Sequence, residues 1–489
     1  MSEAAPVPFT ETKAPESAER LHRGALSLID IAASTMANIG PAYSFYFSFG
    51  YIVATAGIAS PLTIIAAGIA IALLGNTLSQ FSRAHPSTGG FITFVGKTFG
   101  GTSAVTTALL CGAGYIIAIS SVLAISGGFV SLTLQYYFGW NIPWIIFSVV
   151  LTAGAVIMML RGVGVSTRLA GFFFAFEMLV LVVVSVVALA KNGGHLSAAP
   201  FEPSHITNGF KGLAAGFPLA VYLFIGWENS AALAEEAGNP RRNVPRAVFL
   251  SIALMSVGYL LFAYATVSGF ANNGSKLAAA PIPFITVAHS SLAALAVFAY
   301  LAGFTSTIGV LIAAVNSQAR LIFNAGREGL LPRWIGRVQA PRQTPRNAIY
   351  VFVGIASAII LVWAIGHLIG GHAQQGQMNP LNFFDESGTM GTLLVLVVYF
   401  LANLALPFYY RRYRPAEFSI VKHAILPVLG MVAVGVPVYY ICKPPLVSPY
   451  SWFPIAGLII IVVSVVYAYI LTRFDRGLGD RVGSIVADE

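Results

Sequence analysis

The sequence predicts an all-α, polytopic membrane protein. Three observations carry that prediction. Hydrophobic residues make up 57% of 489 positions while charged residues make up 9%, against roughly 25% charged in a soluble domain. Mean hydropathy is +0.79. The apolar residues also gather into spans of about 20, the length that a bilayer core demands of a helix.

Twelve such spans follow one another, at about 25–52, 60–81, 104–133, 143–161, 167–190, 212–234, 246–270, 291–320, 347–367, 389–409, 420–441 and 451–472. The first, third and eighth exceed the minimum, so each is expected to tilt or break. Residues 1–23, rich in Ala, Pro, Glu and Ser, lack a signal peptide's apolar core and read as a disordered cytoplasmic tail; residues 473–489 read as a second cytoplasmic tail. Positive charge tests the count. With the N-terminus inside, 23 of the 27 basic residues fall in inner segments, and only Lys191, Lys211, Lys276 and Lys443 fall outside. A miscounted span would invert that alternation partway along. The protein is therefore expected in the cytoplasmic membrane with both termini inside. Its basic residues form short clusters between spans and no patch for nucleic acid; those at 320–346 suit anionic lipid headgroups. Cys111 and Cys442 have no metal-ligand spacing around them, so neither a metal nor a cofactor is expected.

Two spans are interrupted. In Asn38-Ile39-Gly40-Pro41-Ala42-Tyr43, proline removes an amide donor and disfavours helix in the residue before it. In Phe224-Ile225-Gly226-Trp227-Glu228, a glycine weakens mid-span and a carboxylate follows it. In hydrocarbon every backbone polar group needs a partner, so a break is tolerated only against protein or a wet cavity. A charge at that depth marks a functional site. The two breaks correspond if five spans repeat in inverted orientation, and such pairs mark transporter sites. Amides freed at the start of the second half-helix, at its positive dipole end, suit a carboxylate.

Pro86-Ser87-Thr88-Gly89-Gly90-Phe91, the sixth-span motif with its tail Glu235-Glu236-Ala237-Gly238-Asn239-Pro240-Arg241-Arg242, and Asn316-Ser317-Gln318-Ala319-Arg320 through Arg327-Glu328-Gly329 resemble the amino acid-polyamine-organocation permeases over nearly the whole chain. The resemblance implies a five-plus-five inverted repeat (residues 24–190 and 210–410), two further helices (420–472), helices one and six unwound around the solute, and alternating access of a small amine-bearing solute. Many members carry Gly-small-Gly in the first break. Here it is Gly40-Pro41-Ala42, which leaves an amine or modified amino acid beside an ordinary α-amino acid as the solute.

Asn38 to Tyr43 and Phe224 to Glu228 are thus the expected solute site, with Trp227 as a lid and Glu228 bonded to amides of the break. The apolar flanks of Glu177 disfavour its charged form, so it can carry a proton across; in the resemblance it falls where some proton-coupled relatives have a titratable lysine. Ala302, Thr305 and Ser306 look like the segment that ligates Na+ in sodium-coupled relatives, although such hydroxyls also bond their own helix. Arg320 and Arg327 are expected to pair with Glu235 and Glu236 as an inner gate, and Asp30 is a helix-start or gate residue. No nucleophile–base set points to an enzyme. A channel would need carbonyl or charge rings, and a sensor a soluble output domain.

Overall fold

The computed structural model describes residues 24–193, 196–339, 344–369, 379–443, 448–475 and 477–481. The expected N-terminal tail lies outside these residues, as does about half of the C-terminal one. What is described is helical, apart from two isolated backbone bridges. Nine helical stretches among the described residues are long and apolar enough to cross a membrane, and Trp144–Leu160 is a shorter apolar helix. The outward faces are apolar. Ile455, Leu458, Ile459, Val462, Val463 and Val466 on one helix are all exposed, a surface that only hydrocarbon can cover without penalty. The chain is an all-α polytopic membrane protein.

The first span is broken into α1 (Leu28–Ile39) and α2 (Pro41–Ala56). Then come α3 (Ser60–Ala84), α4 (Gly90–Phe99), α5 (Gly101–Phe138), α6 (Trp144–Leu160) and α7 (Val163–Lys191). The second broken stretch follows as α8 (Phe210–Tyr222) and the four-residue α9 (Asn229–Ala232). The remainder is α10 (Pro240–Gly269), α11 (Gly274–Ala279), α12 (Pro283–Ser291), α13 (Ala293–Arg327), α14 (Arg346–Ile369), α15 (Pro380–Tyr413), α16 (Leu426–Cys442), α17 (Phe453–Phe474) and α18 (Leu478–Arg481).

Two differences from the sequence reading have physical causes. The span expected at 389–409 is a helix from Pro380. Asn379 caps it by accepting from the Leu381 amide at 3.0 Å, and Asp385 and Glu386 in its opening turns masked it from an apolar count. His367 lies within α14, and His372 lies outside the described residues. The Gly-Gly stretch opens a short helix, α4, whose first seven residues are buried; at ten residues it is too short to span a membrane.

Helices α5 and α15 form the spine of the bundle. A side chain at Gly391 would place its Cβ 2.7 Å from the Gly114 carbonyl oxygen and 2.8 Å from the Ala118 amide. Small residues permit such approach, and in a membrane close packing itself drives helix association. Gly391→Leu is therefore expected to lower unfolding stability in detergent by about 1–3 kcal/mol, whereas Gly354→Leu, at a glycine with open space around it, should leave the melting temperature nearly unchanged.

Candidate solute site

The two broken helices meet at their breaks. Gly40 is left-handed at φ +60°, which ends α1 and starts α2, and a Cβ there would overlap Val310 on α13. Gly226 has φ +107°, and a Cβ would stand 3.0 Å from the carbonyl of Asn38. Both positions require glycine twice, for backbone angle and for proximity. Asn38 Nδ2 donates to the Gly226 carbonyl at 3.2 Å. Three further contacts zip α1 to the chain after the second break. Asn229 Nδ2 donates to Ser34 Oγ at 3.2 Å, the hydroxyls of Thr35 and Ser230 are 2.8 Å apart, and Leu26 pairs with Glu236 and Gly238 through backbone bonds of 2.9 Å.

The amides at the first break are already engaged, contrary to the expectation that they lie free for a carboxylate. Pro41 has no amide. The Ala42 amide donates to Glu177 Oε2 at 3.1 Å, and the Tyr43 amide donates to Ser306 Oγ at 3.0 Å. A carboxylate at a helix N-terminus meets the positive end of the dipole; here the protein supplies its own, from α7. Thr305, next to Ser306 on α13, turns back to the carbonyls of Leu301 and Ala302 at 3.1 and 3.2 Å. At the second break the Gly226 amide donates to Glu228 Oε2 at 3.2 Å, and Tyr115 donates to Glu228 Oε1 at 2.8 Å.

Between the breaks lies a small cavity of about 40 Å³. Asn38, Ile39, Tyr43, Ile225 and Gly226 line it, joined by Ser44, Tyr222, Val310 and Gln318. Gly40, Pro41 and Ala42 frame it through the backbone and are not part of its lining. Phe224 and Trp227 are not part of it either. Phe224 packs edge-on against Tyr259, and Trp227 is wedged between Phe91 and Tyr399. Glu228 lines a second cavity of about 20 Å³ that shares Gln318 with the first. Sequence reasoning passed over Tyr222, Gln318 and Tyr115 as site residues. Tyr222 and Gln318 lie inside stretches already singled out, and a polar residue at mid-depth on an apolar helix was the available signal.

Two side-chain clusters lie beside the cavity. On one side Tyr43 meets Phe47 and Phe384 edge-on, and the Tyr43 and Tyr222 hydroxyls are 3.2 Å apart. Phe47 also lines a larger cavity of about 440 Å³, with Phe129, Tyr136, Tyr137 and Tyr300. On the other side, the one carrying the arginine-rich segment, Arg320 binds Glu236 through two bonds of 2.8 and 3.2 Å, and Arg327 binds Glu235 through two of 2.9 and 3.3 Å. All four side chains are buried. Asp30 is held elsewhere, in a capping box with Ser27 at the start of α1, and is absent from the ion pairs among the described residues.

A family model described as "Amino acid permease" matches residues 25–472. The chain belongs to the amino acid permease family. Among individual relatives of this permease, the Asc-type amino acid transporter 1 of Mus musculus is 28% identical over 298 residues, 58% of this chain and 54% of the relative. The branched-chain amino acid permease BcaP of Lactococcus lactis is 25% identical over 338 residues, 66% of each chain. The methylthioribose transporter of Bacillus subtilis is 24% identical over 436 residues, 84% of this chain and 87% of the relative. The permease spans about half the length of the Asc-type relatives it matches.

Removing one partner of a buried ion pair leaves an uncompensated charge, at roughly 3–5 kcal/mol. Arg320→Met should therefore strongly lower thermal stability, and Arg320→Met with Glu236→Met should recover most of the loss. A double mutant no more stable than the single one would mean that the pair is not coupled.

Proposed function

We propose that this permease is a secondary transporter that moves an amino acid or related small amine across the cytoplasmic membrane by alternating access, with a proton as the coupling ion. The observation that carries the reading is the small cavity between two broken helices, with an aromatic cluster at one side and buried ion pairs at the other. A carrier needs one site and two gates that need not open together, whereas a channel needs a continuous path. The names of the relatives, which cover amino acids and methylthioribose, agree with a small polar solute.

In this reading the chain makes twelve crossings arranged as five plus five inverted, with two more at the C-terminal end. Both breaks then lie at mid-depth and the arginine-rich side faces the cytoplasm, as the positive charge distribution supports. Asn38, Ile39, Tyr43, Ile225 and Gly226 hold the solute. Its amine is favoured over its carboxylate, because Glu177 and Ser306 already occupy the Ala42 and Tyr43 amides. Glu177 is the coupling group. It bonds the backbone at the first break, so a proton gained or lost there alters the contact that joins α7 to the mobile half-helices. Sodium is the alternative, and the oxygens it would need at Ala302, Thr305 and Ser306 each already make a hydrogen bond within the protein. An exchanger would use the same cavity without the gradient.

Uptake of labelled amino acids and amines into proteoliposomes tests the assignment. Saturable uptake should follow an imposed pH gradient, acid outside, and be indifferent to sodium. Glu177→Gln, which keeps an oxygen for the Ala42 amide but takes no proton, should lose the pH response while retaining exchange of internal for external solute. Uptake that still follows the pH gradient in this variant would remove Glu177 from coupling.

The ion pairs on the basic side serve as the inner gate. Glu235→Arg should reduce uptake at least tenfold, and adding Arg327→Glu should restore part of it. Unaltered uptake in the single variant would exclude a gating role.

A further inference from the structure

We infer that the central cavity is a size and charge filter, set by α5 and α13, which admits solutes with a short, uncharged aliphatic side chain and rejects longer or charged ones. The inference rests on the transport reading above and names the class of solute. Every polar side chain in the lining except Gln318 comes from the broken helices, as Asn38, Tyr43, Ser44 and Tyr222. Helices α5 and α13 supply Ala118, Ile119, Val122, Val310 and Ala314, and Ile39 and Ile225 complete the apolar part. Among the described residues that line the cavity, none is acidic or basic. The amine of a solute meets the hydroxyls and the amide of the breaks. A second charge on its side chain would leave water for an aliphatic wall, which is costly without a partner.

The space is small, and its walls have little room to yield. About 40 Å³ holds about three water-sized groups, enough for the amine-bearing end of a solute and a side chain of one or two carbons. Behind Ala118 stands α15. A Cβ on Gly391 would lie 2.8 Å from the Ala118 amide and 3.0 Å from the Ala118 Cβ, so α5 has nowhere to retreat at that point. On α13, Val310 fills the space at Gly40, where a Cβ would overlap it. Ser306, one turn before Val310, bonds the Tyr43 amide at 3.0 Å, which ties α13 to the first break. Interiors packed this closely answer added volume with strain. Each methylene that fits should therefore raise affinity about fourfold, and the first that does not fit should reverse the trend.

Two homologous series test this by thermal-shift binding on the purified full chain. One is glycine, alanine, 2-aminobutyrate, norvaline and norleucine; the other is the amines with the same side chains, methylamine to pentylamine. Binding should peak at or before 2-aminobutyrate or propylamine and fall at least fivefold from that peak by norleucine or pentylamine, with lysine and glutamate at least tenfold weaker than alanine. In Val122→Ala, which removes two methyl groups from the α5 wall, the peak should move to a side chain one or two carbons longer. Ile119→Val, a milder enlargement of the same wall, should move it in the same direction. Affinity that keeps rising to the longest member of either series, a peak unmoved in both variants, or no binding of any member would overturn the filter. Uptake into proteoliposomes separates the two readings. A size optimum in binding without uptake of any of these solutes would sink the transport reading and keep the filter; gradient-driven uptake with no optimum in size would do the reverse.

Discussion

The structure depends on one contact, the crossing of two interrupted helices at Gly40 and Gly226. Hydrocarbon offers no partner to a stray amide or carbonyl, so every group released by the two breaks must be met by another part of the chain. Asn38 meets the Gly226 carbonyl, Glu228 the Gly226 amide, Glu177 the Ala42 amide and Ser306 the Tyr43 amide. The buried carboxylates are in place because the breaks need acceptors. The same requirement fixes where α7 and α13 stand, since each delivers one of those side chains.

The two clusters beside the cavity differ in kind. The aromatic one is held by ring contacts among Tyr43, Phe47, Phe384 and Phe129 and by a pair of hydroxyls. The other is built of buried ion pairs, Arg320 with Glu236 and Arg327 with Glu235. Such pairs roughly break even against hydration, so water entering from that side can replace them without a large net penalty. The backbone pairing of Leu26 with Glu236 and Gly238, with the contacts of Ser34 and Thr35, ties α1 to α9 and the glutamates.

Much of this was legible in the sequence because membrane chains write their constraints in composition. The apolar spans, the positive-charge alternation and the two glycine-centred breaks are each a consequence of burying backbone in hydrocarbon, and the helices match the expected spans to within a few residues at most ends. The start of α15 was hidden because Asp385 and Glu386 sit in a helix whose buried face tolerates them. The Arg–Glu partners could be named from charge alone, but which arginine meets which glutamate could not. Trp227 was read as a lid, yet it packs between Phe91 and Tyr399 away from the cavity, since side-chain direction at an irregular turn follows no period. Tyr222 and Gln318 were passed over for a related reason. A single polar residue on a long apolar helix does not declare which neighbour it faces.

The most direct test of the central claim is an electron cryo-microscopy structure of the full chain in lipid nanodiscs with a saturating transported solute. Density for the solute is expected between Asn38–Tyr43 and Ile225–Glu228, with both helices still interrupted at Gly40 and Gly226. Density confined to the larger cavity lined by Phe47 and Tyr300, or helices running unbroken through both glycines, would contradict that claim.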